Sequence, residues 1–154
     1  MAGAEGRAGA EAGAGAAPAF VVDASVSAAW LLPDEATAAT EAALQATATS
    51  DVWVPALWLV ETGNLLRSAH RRRQIDAAKR AELATIADTL RLRIDREPVE
   101  IARLDDVAAT YGLSVYDAAY LELALRRKLP LASCDAALLA AMGAAGIVSP
   151  TWAA

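Results

Sequence analysis

Short apolar blocks and longer alanine-rich stretches alternate along this chain, and the alternation sets the expected architecture. Phe20-Val21-Val22 is a largely β-branched block that reads as a buried strand; Asp23 ends it, and Ser25 suits the N-cap of a helix over Val26 to Leu32. Pro33 stops that helix, and the segment from Glu35 to Thr47 reads as a second one. Val52-Trp53-Val54 is another strand block, with Pro55 tolerated at the first turn of a third helix. That helix puts Leu57, Val60, Leu65 and Ala69 on an apolar face and Glu61, Asn64 and Arg67 at polar positions. A fourth helix is expected from Asp76 to Leu92, a brief strand at Arg93-Ile94-Asp95, and a fifth helix from Val99 to Thr110 with Gly112 as its cap. Ser114 caps a sixth, Val115 to Lys128, which Pro130 closes. Leu131-Ala132-Ser133 is a strand leading into a helix from Asp135 to Ala144, and Gly146 precedes a last strand, Ile147-Val148. Strands alternating with helices imply an α/β fold, because parallel neighbours need helical crossovers that cover both faces of the sheet.

Composition narrows this picture. Residues 1–18 are almost entirely Ala, Gly, Glu and Arg, offering too little apolar surface to offset the entropy of ordering, so they read as a disordered tail. Residues 19–150 then form one domain, with 151–154 as a short C-terminal tail. Although 56% of the chain is hydrophobic, no apolar run approaches the roughly 20 residues of a membrane span, and the N-terminus lacks the pattern of a secretory signal. The single cysteine, Cys134, excludes an internal disulfide and a cysteine zinc site, fits a cytoplasmic protein, and reads as a small core residue. A net charge of -5 argues against general charge-driven nucleic-acid binding, yet Arg67, Arg71, Arg72 and Arg73 concentrate basic charge on one short stretch beside His70.

Chemistry enters with the acids. Asp23 and Asp135 stand at or just beyond the carboxyl ends of expected strands, where open α/β sheets collect their ligands. Glu61 lies near the start of the third helix, and Asp117 in the first turn of the sixth, where the helix dipole favours an anion. Four converging carboxylates repel one another unless a cation holds them. With one histidine and no cysteine cluster the donors are all oxygen, which selects a hard ion such as Mg²⁺ or Mn²⁺ and points to phosphodiester hydrolysis.

Several runs also resemble a known family. Phe20-Val21-Val22-Asp23-Ala24-Ser25, Pro55 with Glu61 and Asn64-Leu65, Ser114-Val115-Tyr116-Asp117-Ala118-Ala119-Tyr120, and Leu131-Ala132-Ser133-Cys134-Asp135 with Leu138 are similar to the PIN-domain family, specifically its VapC-type toxins. The resemblance runs from Phe20 to Val148 and implies a three-layer α/β/α fold with a short, mainly parallel sheet. It implies metal-dependent RNA cleavage, with Asp23, Glu61, Asp117 and Asp135 matching the family's acidic positions and Ser25, Asn64 and Ser133 supporting them. A cognate antitoxin and a homodimer are implied too. Ser133 stands where the family usually has threonine, and the Ala/Gly tail lies outside the family pattern.

Plainer roles compete. Glu97, Glu100, Asp105, Asp106 and Glu122 read as solvated helix faces, the four tryptophans as core or interface, and Tyr116 and Tyr120 as packing beside the site. The basic cluster is a candidate contact for RNA or an acidic partner, or a solvated helix end. Asp23-Ala24-Ser25-Val26-Ser27 also fits an adhesion-type Asp-x-Ser-x-Ser metal site without catalysis, although that leaves the other three acids unexplained. A PIN fold kept only as a scaffold is the remaining alternative.

Overall fold

The computed structural model describes residues 17–153, so residues 1–16 of the expected tail lie outside the described residues. Four strands, β1 (Ala17–Val22), β2 (Ser50–Pro55), β3 (Leu92–Asp95) and β4 (Leu131–Ala132), pair in the order β3-β2-β1-β4, all in parallel. Helices α1 (Ala24–Leu31), α2 (Ala38–Ala46), α3 (Leu57–Arg71), α4 (Ala77–Thr89), α5 (Ile101–Tyr111), α6 (Val115–Arg127) and α7 (Ala136–Ala145) connect them. The expected α/β class with a short parallel sheet is borne out.

The residue pattern of β1 explains the layering. Successive side chains of a strand point to opposite faces. Phe20 and Val22 pack with Val26, Leu31 and Trp58 in a core under α1 to α4, whereas Val21 packs with Leu121, Leu131 and Leu138 under α5 to α7. Both faces of the strand are therefore dry, and each of these side chains contributes roughly 1.5–3 kcal/mol by leaving water. The chain builds β1, β2 and β3 outward in one direction, then crosses back to place β4 on the other side of β1. That reversal makes the crevice beyond β1 and β4 the natural ligand position.

Local details depart from expectation for physical reasons. Trp58, Thr62, Leu66 and Ala69 form the buried face of α3, while Val60 is 71% exposed. Trp58 decides the rotation: its Nε1 donates to the buried Ser27 Oγ at 2.8 Å, turning Val60 outward. Glu122 is buried rather than solvated, because α6 is the central helix of its layer, with α5 and α7 packed against it. Cys134 is exposed rather than in the core, since it lies in the loop that leaves β4. Ile147 and Val148 form no strand; one hydrogen bond, from Leu131 N to Val148 O at 3.1 Å, is their link to the two-residue β4. Pro33 ends α1 but opens a 3-10 turn, Pro33–Glu35, so that α2 begins after a Thr37 cap. Near the C-terminus, Trp152 meets Phe20 edge-on with ring centroids 5.0 Å apart. Among the described residues no helix is long and apolar enough to cross a membrane.

Candidate functional site

Asp23 is the first residue beyond β1, and 3% of it is exposed. Its Oδ1 accepts from the Val26 amide at 3.1 Å, so Asp23 caps α1, the role the sequence suggested for Ser25. Ser25 instead sits in the first turn and donates its hydroxyl to the same oxygen at 2.6 Å. The other oxygen, Oδ2, accepts from Ser133 Oγ at 2.5 Å. Burial pushes the Asp23 carboxyl up; the Ser133 and Ser25 hydroxyls and the Val26 amide pull it down, and the charge of Asp117 adds a further upward push.

Ser133 ties the two strand ends together. Its oxygen accepts from the Asp135 amide at 3.0 Å while its proton goes to Asp23. Asp135 in turn caps α7, accepting from Leu138 N at 2.8 Å through Oδ1. Cys134, between them, donates its amide to Ser25 Oγ at 3.1 Å.

The helical acids approach from opposite layers. Asp117 occupies the first turn of α6 and accepts from Ser114 Oγ at 3.0 Å, the same hydroxyl that caps the helix. Glu61, on α3, accepts from the Tyr120 hydroxyl at 3.0 Å. Burial raises the Glu61 carboxyl; Tyr120 lowers it, and the charges of Asp117 and Asp23 raise it again. Tyr120 is buried, which pushes its own hydroxyl up and keeps it protonated as a donor. Sequence reasoning gave Tyr120 only a packing role; its place three residues after Asp117, one turn along the same helix face, was the available signal.

Asp23, Glu61 and Asp117 thus lie in one electrostatic neighbourhood, and Asp135 joins through Ser133. No Lys, Arg or His among the described residues forms an ion pair with Asp23 or Glu61. Among the described residues no three acids, histidines or cysteines are grouped closely enough to form a ready-made ligand shell. The donor set nevertheless fits Mg²⁺ or Mn²⁺, because a small hard ion keeps several waters and needs only one or two direct carboxylates. Any of the four acids can serve in that capacity, with Asp23 the most firmly oriented.

The remaining candidates separate. Asn64 lines a cleft of about 380 Å³ together with Glu61 and Arg72. Arg67 is exposed, Arg71 donates to Ser68 Oγ at 3.0 Å, and Arg73 takes a left-handed conformation (φ 58°) just beyond α3. Ser27, which an adhesion-type site would need beside Asp23, is 1% exposed and its oxygen is occupied by Trp58. Its hydroxyl belongs to the core.

Comparison with known proteins agrees with the α/β fold that carries these residues. The family model of the PIN domain matches residues 20–143. The chain belongs to the PIN-domain family. Among solved structures, this PIN domain is similar to PAE2754 from Pyrobaculum aerophilum, known from a crystal structure, at 25% identity and a TM-score of 0.63. That match covers 82% of this chain and 87% of the other. No curated protein matches. PIN domains are in general nucleases that bind RNA and typically use divalent metals.

Proposed function

We propose that this PIN domain is an Mg²⁺- or Mn²⁺-dependent endoribonuclease whose catalytic and metal-holding set is Asp23, Glu61, Asp117 and Asp135. The observation that carries the reading is Asp23: a carboxylate at the switch point of the sheet, 3% exposed, held by hydroxyls and an amide, and in no ion pair among the described residues. Such a group is costly in the metal-free fold and is the physical mark of a site awaiting a cation.

When bound, the ion would offset the negative charge of an RNA phosphate and lower the pKa of an attacking water. The chain's own residues set the stage. Ser25 and Ser133 fix both oxygens of Asp23, Tyr120 holds Glu61, and Ser114 holds Asp117. Closure of β1 against β4 through Ser133 sets Asp135 relative to Asp23.

The finer reading, a VapC-type toxin acting in the cytoplasm as a homodimer and restrained by a cognate antitoxin, rests on the motif resemblance around Ser114 to Tyr120 and Leu131 to Asp135. Purified protein should cleave RNA with Mg²⁺ or Mn²⁺ and stop with EDTA. Asp117→Asn keeps the side-chain shape and should lose about 100-fold or more in rate while remaining folded by circular dichroism. Undiminished cleavage by that folded variant would sink the four-acid mechanism. Expression with its genomic neighbour should yield a complex with a small protein; purification alone, with no effect on growth, would count against the toxin role.

A further inference from the structure

The cleft beside Glu61 has a direction. It is lined by Ala24, Ser25 and Ala28 of α1, by Glu61 and Ser68 of α3, and by Arg72, the residue that caps α3 at its C-terminus. At about 100° and 1.5 Å per residue, Arg72 projects within roughly 20° of Glu61 and lies roughly 16 Å further along the axis. Arg67, by the same geometry, points roughly 120° away. The small α1 residues leave room for a backbone to lie close, and one end of this track is acidic while the other is basic. Ion pairs among the described residues engage Lys79, Arg93, Arg103, Arg126 and Arg127, and none engages Arg72.

We infer that this cleft is the track for single-stranded RNA flanking the cleavage point, with Arg72 receiving a backbone phosphate a few nucleotides from the scissile one. The inference rests on the hydrolase reading for its direction, since the acidic end is where the scissile phosphate would sit. Among the described residues no aromatic side chain lines the cleft, so they offer no stacking platform. Arg72 therefore positions the strand and contributes affinity that tolerates sequence, as phosphate contacts do. A protein segment is the competing occupant, and charge favours RNA: among the described residues the cleft is lined by one cationic side chain, Arg72, set by helix geometry well along from Glu61.

The test uses the full chain, a fluorescein-labelled twelve-nucleotide oligouridylate, and anisotropy in EDTA so that nothing is cut. Arg72→Gln should weaken binding about fivefold and reduce the salt slope by about 0.7, the value for one single-strand phosphate contact. Arg67→Gln removes the same charge from the same helix off the track and should change affinity less than about twofold. Equal losses in the two variants would mean a diffuse basic surface and overturn the track, as would wild-type affinity in Arg72→Gln or absence of RNA binding by the wild type. Cleavage is scored separately with Mg²⁺ and Mn²⁺. Arg72-dependent binding without cleavage keeps the track and fells the hydrolase; cleavage with Arg72→Gln binding as wild type does the reverse.

Discussion

Two groups of acids stand at the carboxyl edge of the same sheet, and the chain treats them oppositely. Beside β3, Asp95 meets Arg126 at 2.6 Å and Arg127 at 2.7 Å; Glu97 and Glu122 complete the network, and the Arg127 guanidinium stacks 3.6 Å from the centre of the Trp53 ring. Burial pushes Asp95 up, but the hydrogen bonds and charges of the two arginines outweigh it and hold the carboxyl below its usual range. Beside β1, Asp23 is as thoroughly buried and receives only hydroxyls and an amide, so burial wins. Arginines were within reach of evolution on the same helix, since Arg126 and Arg127 share α6 with Asp117. One cluster is neutralised by the chain and serves the fold; the other is left without a compensating charge, which is the feature the proposed metal site rests on.

The largest expected contrast comes from Asp23→Asn. Cleavage should fall about 100-fold or more, as for loss of any site ligand, while the metal-free protein at pH 7 should become more stable, because a neutral amide is cheaper to bury. The folded Asp23 carboxyl lies above its reference value of 3.8, so the native state holds that proton more tightly than the unfolded chain. Its contribution to stability therefore improves as pH falls through the raised value toward 3.8 and is unfavourable above it. Urea denaturation in EDTA across pH reads both effects; a variant less stable than wild type at pH 7 would break the contrast.

Next in size is Asp95→Asn, which leaves two arginines short of a partner. A loss of about 2–4 kcal/mol is expected, toward the low end because both guanidinium groups still touch water. The sign in pH is reversed: Asp95 is lowered from 3.8, so its stabilisation is full above that value and disappears as pH falls through the lower folded one. Cleavage per folded molecule should stay near wild type. A specific rate loss matching that of Asp23→Asn would show that the two clusters work as one.

The contrast was only half legible in the sequence. Asp23, Asp117 and Asp135 stand out because each follows a strand or opens a helix, positions a residue pattern marks directly. The alternation of β1 likewise announced a sheet buried on both faces. Glu122 was misread because helical periodicity assumes one wet side, and the centre of α6 has none: Tyr120 through Ala124 are all buried. The Glu122-to-Arg126 spacing of one helical turn was the visible clue to its pairing. The rotation of α3 was hidden for a different reason, since its apolar residues fit two faces and only the Trp58 contact with Ser27, 31 positions away, chooses between them.

The smallest expected effect tests whether the hydroxyls of the uncompensated cluster orient it or merely fill space. Tyr120→Phe keeps the ring in the core and deletes only the donor to Glu61, a change of about 1 kcal/mol. Glu61 would then keep its burial and its acidic neighbours while losing the one interaction that lowers it. We expect a rise of about fivefold in the Mg²⁺ concentration needed for half-maximal cleavage, with the saturated rate close to wild type and the stability read by urea in EDTA lower by no more than about 1 kcal/mol. An unchanged Mg²⁺ requirement would assign Tyr120 to the core alone. A fivefold rise in the requirement alongside that small stability loss would place its hydroxyl in the site, because a loss of packing alone lowers stability and leaves the Mg²⁺ requirement where it was.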